Sequence, residues 1–160
     1  MKNKIKTFII ILSIIVVDQI IKTIIVAKTN IDFTIIPGVL KLSYVENTGG
    51  AYGLGADSIL VLIGINILLI VFIATLLIKG KNLETKIRRG LELVLAGGIS
   101  NLLDRLLRGY VIDYIDISSL VKYPVFNIAD ISIVCGVIII IIAILIRYGK
   151  RTGKWKERII

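Results

Sequence analysis

The 160-residue chain contains no histidine and a single cysteine, Cys135. Without histidine, a Ser-His-Asp triad, a Cys-His pair and an H-E-x-x-H zinc site are all excluded. No G-x-x-x-x-G-K-[ST] stretch is present to cradle a nucleotide. The lone cysteine has no internal disulfide partner, and in an isoleucine-rich run it reads as an inert small apolar residue. Acidic residues are also scarce, 11 against 20 Lys and Arg, for a net charge of +9. Those positive charges flank apolar runs rather than gathering on one folded face, so nucleic acid is not an expected partner. Internal repeats, linkers and low-complexity tracts are absent apart from the isoleucine bias.

Hydrophobic residues make up 56% of the chain and the mean hydropathy is +0.92. A soluble domain is usually about 45–50% apolar, so this is the composition of a membrane protein. A helix crosses a bilayer in about 20 residues, and four runs approach or reach that length: 8–27, 58–78, 91–107 and 126–146. The third is the shortest and most polar. The first follows Lys2, Lys4 and Lys6 as a signal peptide would. It contains Asp18 and Lys22, however, and lacks an A-x-A-like site, so it reads as a retained span. Of the 20 Lys and Arg residues, 14 lie in 2–6, 79–89 and 147–158, and the connections 28–57 and 108–125 hold four. Basic loops mark the cytoplasmic side, which places both termini inside and the two longer loops outside. The expectation is one all-α membrane domain over 1–160, a four-transmembrane-helix bundle with both termini cytoplasmic.

The first outer loop carries a turn signal, Pro37-Gly38, followed by Leu40, Leu42 and Tyr44 alternating with Lys41 and Ser43, the period of a half-buried strand. A Gly-rich return, 46–55, comes next. This predicts a small β hairpin or sheet on the outer membrane surface. The second outer loop, 110–123, has three tyrosines, as expected near lipid headgroups.

Polar residues inside spans cost roughly 2.5–3.5 kcal/mol for a central charge, so their depth is informative. Asp18 and Lys22 are four apart on one helix face, about 15–21 Å along the helix from residue 8, in the outer half. Asn101, Asp104 and Arg105 fall near the outer end of the third run, and Asn127 and Asp130 at the outer start of the fourth. Three helices thus bring polar groups to one leaflet. Asp18–Lys22 and Asp104–Arg105 read either as pairs serving insertion and packing or as functional groups. Asn66 reads as interhelical hydrogen-bond glue, Glu92 as half of a solvated ion pair with Arg88, and Asp130, taken alone, as an acid favoured by a helix N-terminus.

The chemistry left open is narrow. A Ser–Lys dyad would need Lys22 as base and Ser100 or Ser118 as nucleophile, but Asp18 one turn away favours the charged form of Lys22. Asp18 and Asp104 have basic neighbours, whereas Asp113, Asp116 and Asp130 have none at helical spacing. Two unpaired acids close together would share one proton and activate water, as in aspartic proteases. Elimination therefore points to a carboxylate pair that includes Asp130, with its partner open between Asp113 and Asp116. A small ion or proton translocator using the same acids is the rival class, and a non-enzymatic membrane scaffold a second. The first requires acids spread through the membrane depth; these gather at one end.

D-Q-I-I-K (18–22), N-T-G-G-A-Y-G (47–53), G-G-I-S-N-L-L-D-R-L-L-R-G-Y-V-I-D-Y (97–114) and F-N-I-A-D (126–130), in this order, resemble the lipoprotein signal peptidase (signal peptidase II) family of bacteria. The resemblance implies a membrane aspartic endopeptidase without metal or cofactor. Its substrate would be a lipid-modified prolipoprotein, cut just before a cysteine carrying diacylglycerol. It also implies a multi-pass protein of the bacterial cytoplasmic membrane, in contact with membrane lipid, monomeric, with its active site at the outer leaflet. The family's catalytic aspartates map to Asp113 and Asp130, and Asn47, Asn101, Asp104, Arg105, Asn127, Asp18 and Lys22 to its supporting polar residues. Departures are small: Gly50, Tyr52, Tyr114 and Ser100 stand where the family often has alanine, phenylalanine, phenylalanine and glycine.

Overall fold

A computed structural model describes residues 2–28, 32–49, 59–80 and 82–152. It contains the helices α1 (Lys2–Val26), α2 (Ile59–Lys79), α3 (Thr85–Arg108) and α4 (Ile128–Arg151). Strands β1 (Asp32–Ile36), β2 (Leu40–Asn47) and β3 (Val111–Asp116) complete it. The Gly-rich return from residue 50 onward and the basic residues 154–158 lie outside the described residues.

Helices occupy all four expected runs, and α1, α3 and α4 continue beyond them by a turn or more at their basic ends. The apolar run marks the hydrocarbon-embedded part, and backbone hydrogen bonding carries the helix on through the interface. α1, α2 and α4 are long and apolar enough to cross a membrane. α3 is not among these, because it carries Glu92, Asp104, Arg105 and a basic start. The packing explains how such a helix is tolerated: α3 packs against each of the other three, and Glu92, Ser100, Asn101 and Asp104 are buried. Its polar side chains face protein, where partners exist, while large apolar side chains of α1, α2 and α4 point outward.

Apolar burial offers little net drive between helices in lipid, so close backbone approach and hydrogen bonds hold them. A Cβ on Gly97 would lie 2.3 Å from the Ala129 carbonyl oxygen, and one on Gly90 2.6 Å from that of Gly136. Only glycine permits α3 and α4 to sit this close. Ser132 Oγ donates to the Leu93 carbonyl at 2.8 Å, and Asn66 Nδ2 to that of Gly98 at 3.2 Å, the interhelical role expected of Asn66.

Glu92 departs from expectation. It is fully buried, its partners are Thr7 Oγ1 and Arg89 Nη1, and Arg88 instead caps the Leu77 and Gly80 carbonyls at 3.3 and 2.9 Å. Helix spacing allowed either arginine; the proximity of α1, invisible in local sequence, made this an interior position.

Contacts between Thr7 and Glu92 and between Lys22 and Asp104 run α1 and α3 parallel. α2 and α4 are antiparallel to α3, through Asn66–Gly98 and Asn101–Asp130. One end of the bundle therefore collects the basic helix ends and the other the sheet. That sheet is antiparallel with order β1-β2-β3. Its hairpin turns at Gly38, which adopts φ 73°. The predicted hairpin is present, and β3, drawn from the second loop, adds a third strand. Ile112 and Tyr114 of β3 pack with Ile25 of α1, joined by Leu42 and Tyr44 of β2. This cluster seats the sheet on the bundle.

Candidate active site

α3 ends at Gly109, whose φ of 83° is left-handed and whose N–H returns to the Arg105 carbonyl at 3.2 Å. The chain then enters β3 at once. Strand alternation sends Ile112 and Tyr114 toward α1 and leaves Val111 and Asp113 lining a cavity of about 280 Å³. Asp130 lines the same cavity from α4, with Asn47, Asn101 and Arg105.

Asp130 is held by a capping box. Asn127 is the N-cap and its Oδ1 accepts the Asp130 N–H at 2.8 Å; Asp130 Oδ2 accepts the Asn127 N–H at 3.1 Å. Each member thus satisfies an orphan donor of the helix start. Asp130 Oδ1 accepts from Asn101 Nδ2 at 2.8 Å. Asp113 receives Asn127 Nδ2 on Oδ1 at 2.7 Å and Asn47 Nδ2 on Oδ2 at 2.9 Å. Asn127 therefore bonds both carboxylates, that of Asp113 through its side-chain amide and that of Asp130 through its backbone N–H. Burial pushes the Asp113 carboxyl up to about 6; the Asp130 charge adds to the shift, and the Asn47 and Asn127 donors oppose it. Neither acid forms an ion pair within 4 Å among the described residues.

Behind this pair lies a buried charge cluster. Lys22 Nζ is 2.8 Å from both Asp18 Oδ2 and Asp104 Oδ2, all three side chains being fully buried, and it donates to Asn101 Oδ1 at 3.0 Å. Asp18 further accepts from Ser100 Oγ (2.6 Å), Tyr114 OH (3.3 Å) and the Ala129 N–H (3.2 Å). Asp104 accepts from Gln19 Nε2 (3.1 Å), Arg108 Nη1 (2.6 Å) and the Ile112 N–H (3.2 Å). Buried ions are tolerated only when so completely bonded. The expected Asp18–Lys22 pair is present. The expected Asp104–Arg105 pair is not: Asp104 pairs with Lys22 and Arg108, while Arg105 donates to the Gly49 carbonyl at 3.1 Å and the Asn101 carbonyl at 3.5 Å. Adjacent helical residues diverge by about 100°, so Arg105 turns toward the end of β2.

Asp116 also has a partner that helical spacing could not reveal. Lys41 lies opposite it on β2, 3.2 Å away, and the Ser118 N–H donates to it at 2.7 Å. Burial works against the Asp116 charge, but these partners outweigh it and its pKa falls to about 2. Asp113 and Asp116 are three apart on β3, hence on opposite faces. Gln19, Arg108 and Tyr114 are not among the expected site residues, and Ser100, a conceivable dyad nucleophile from sequence, instead donates to Asp18. Ser100 and Arg108, one turn on either side of Asp104, were accessible from α3 periodicity. Tyr123 and Phe126, which line the cavity, were not. Among the described residues no group of three or more Cys, Asp or Glu is placed to hold a metal ion.

A buried carboxylate and a partly buried one on one cavity, each held by amide donors and neither in an ion pair among the described residues, are the kind of pair an aspartic hydrolase uses, here set in a helical membrane bundle. The family model described as signal peptidase (SPase) II matches residues 10–146. A lipoprotein signal peptidase of Clostridium acetobutylicum is 38% identical over 125 residues, 77% of this chain and 81% of that one. That of Latilactobacillus sakei is 37% identical over 138 residues, covering 85% and 91%. The Staphylococcus aureus protein is 33% identical over 148 residues, covering 91% and 88%. Two solved structures of bacterial membrane enzymes superpose with TM-scores of 0.85 and 0.79 at 31% and 32% identity, covering 91% and 88% of this chain and 90% and 92% of theirs. The chain belongs to the signal peptidase II family of aspartic peptidases.

Proposed function

We propose that this chain removes signal peptides from prolipoproteins with Asp113 and Asp130 as its acid–base pair, cutting before a diacylglyceryl-modified cysteine. The observation that carries this reading is Asn127, which bonds both carboxylates on one cavity wall. The two acids share one proton. The ionised member takes a proton from a water admitted between them, and that water attacks the scissile carbonyl. The protonated member donates to the carbonyl oxygen, and the tetrahedral intermediate collapses as a proton reaches the leaving amine. Asn47, Asn101 and Asn127 orient the acids. Lys22, Asp18 and Asp104 fix the frame behind Asn101, and Arg105 ties β2 to α3 through the Gly49 carbonyl.

The basic helix ends support an orientation with the sheet and the cavity at the outer leaflet of the bacterial cytoplasmic membrane. There a lipid-anchored peptide meets water near the headgroups. The working form is a monomer of one domain, in contact with membrane lipid. Asp113→Asn and Asp130→Asn, assayed separately on a lipidated precursor in detergent, should each lower turnover by roughly 10²–10⁴-fold. Near-wild-type turnover in either folded variant would overturn the pair.

A further inference from the structure

Strand β2 meets β3 in two registers. Lys41 lies opposite Asp116 and Leu42 opposite Ile115, but beyond them Val45 lies opposite Asp113, Glu46 opposite Ile112 and Asn47 opposite Val111. Ser43 and Tyr44 therefore share one partner, Tyr114, and form a β-bulge. Residues directly opposite each other point to the same face of a sheet, so this one extra residue decides which side chain of β2 reaches the acids. With it, Asn47 stands on the cavity face with Val111 and Asp113, and its Nδ2 donates to Asp113 at 2.9 Å. Had the first register continued, Val111 would oppose Glu46, and Asn47 would oppose Tyr110 on the side of Ile112 and Tyr114. A slip of one residue exchanges the two faces. It would put a carboxylate beside Asp113 in place of an amide donor.

Side chains hold both registers. Asp116 takes Lys41 Nζ at 3.2 Å and Ser43 Oγ at 3.3 Å, which fixes the first. At the bulge, the Tyr44 hydroxyl donates to Glu46 Oε1 at 2.7 Å and lies 3.2 Å from the Tyr110 hydroxyl. Its ring packs on the cluster of Ile25, Ile112 and Tyr114. These contacts keep Tyr44 and Glu46 on the face turned away from the acids. Bulges beside active sites re-aim side chains, and here the side chain re-aimed is the one that bonds Asp113.

We propose that the bulge at Ser43 and Tyr44 is a register lock, with Tyr44 a positioning residue that keeps Asn47 on Asp113 and Glu46 off it. The proposal rests on the reading of Asp113 as a catalytic acid, and deepens it by assigning what holds its amide donor in place.

The test uses the full chain in nanodiscs. Tyr44→Val removes the ring and the hydroxyl but keeps a strand-forming residue. Its kcat on a lipidated precursor should fall about tenfold, with KM within about twofold. The Asp113 titration, read by carbon NMR of labelled aspartate against an Asp113→Asn blank, should move above its value of about 6. A donor that favours the charged form is lost and a carboxylate approaches, and both raise it. The other charged groups near Asp113, namely Asp130 of α4, Lys22 of α1 and Arg105 of α3, are unaltered. Adding Glu46→Asn should return the titration and most of kcat, because the slipped register sets the new amide opposite Val111. Glu46→Ala in the same background supplies no amide and should not restore kcat. An unmoved titration in Tyr44→Val, or equal recovery with asparagine and alanine, would overturn the lock. Where Tyr44→Val folds poorly, Tyr44→Phe keeps the ring, loses the hydroxyl bonds and should show the same changes in smaller measure. The titration reads Asp113 without turnover. An Asp113→Asn protein that still cleaved would end the catalytic reading, while the titration would still judge the lock.

Discussion

Each asparagine around the acids has its amide turned by a neighbour that can only donate. Lys22 Nζ occupies Asn101 Oδ1, the Asp130 N–H occupies Asn127 Oδ1, and the Gly49 N–H occupies Asn47 Oδ1 at 3.0 Å. All three Nδ2 groups must therefore face carboxylates. At Asp113 these donors oppose burial without cancelling it, and its pKa stands at about 6. Activity that needs one proton on the pair should fall as pH rises through about 6, read as the upper limb of kcat/KM against pH. Asn47→Ala removes a donor that favours the charged form, so this limb should move to higher pH; a limb that stays in place would deny Asp113 a titrating role. The same shift has a stability consequence of determinate sign. Asp113 titrates near 3.9 when unfolded, so between about 4 and 6 the folded state holds the extra proton. Stability accordingly declines as pH rises across that window and levels off above it.

At the scale of elements, the contact between α3 and α4 sets the distance between Asn101 and Asp130. Ala129 immediately precedes Asp130, and Gly97 lies one turn before Asn101, so bulk at Gly97 acts on the site through the helices. Gly97→Val should lower Tm and cut activity more than about tenfold, because even its Cβ would meet the Ala129 carbonyl at 2.3 Å and must push the helices apart. Gly98→Ala is the internal control: its Cβ would meet Asn66 Oδ1 at 3.5 Å, an ordinary contact. It should stay within about 0.5 kcal/mol of wild type and keep its activity. Equal losses in the two variants would refute the close-approach argument. The helices themselves were legible, because a run of apolar residues is a local property. β3 is not legible as a strand, since five of its six residues are buried, on both faces, and show no clean alternation. Yet its period of two does separate Asp113 from Asp116, so the face choice was in the sequence once a strand was assumed.

Across the whole molecule, α1 is fastened to α3 at both ends: by Asp18 and Lys22 at the site, and by Thr7 and Glu92 at the basic end. The second clasp lies twelve residues along α3 from Asp104, about 18 Å at the helical rise. Glu92→Gln should lower Tm, because a buried charge-assisted bond to Arg89 is lost. It should leave kcat/KM within about twofold of wild type where the protein is folded. A fall in activity with Tm unchanged would show that the basic end communicates with the acids.

The sequence by itself determined the four helices, the side on which the charges flank them, the end at which polar groups gather, and the narrowing of chemistry to carboxylates. All of these follow from composition, local periodicity and residue types that are present or missing. Only the tertiary structure decided the partners. It buried Glu92 against Thr7, gave Asp104 to Lys22 and Arg108 instead of Arg105, and neutralised Asp116 with Lys41 across a strand pair. It also brought Asp113, from a loop, to the asparagine that caps the helix of Asp130. Partner choice depends on which elements lie side by side, and that is fixed by close packing between segments far apart in the chain, where no local pattern reaches.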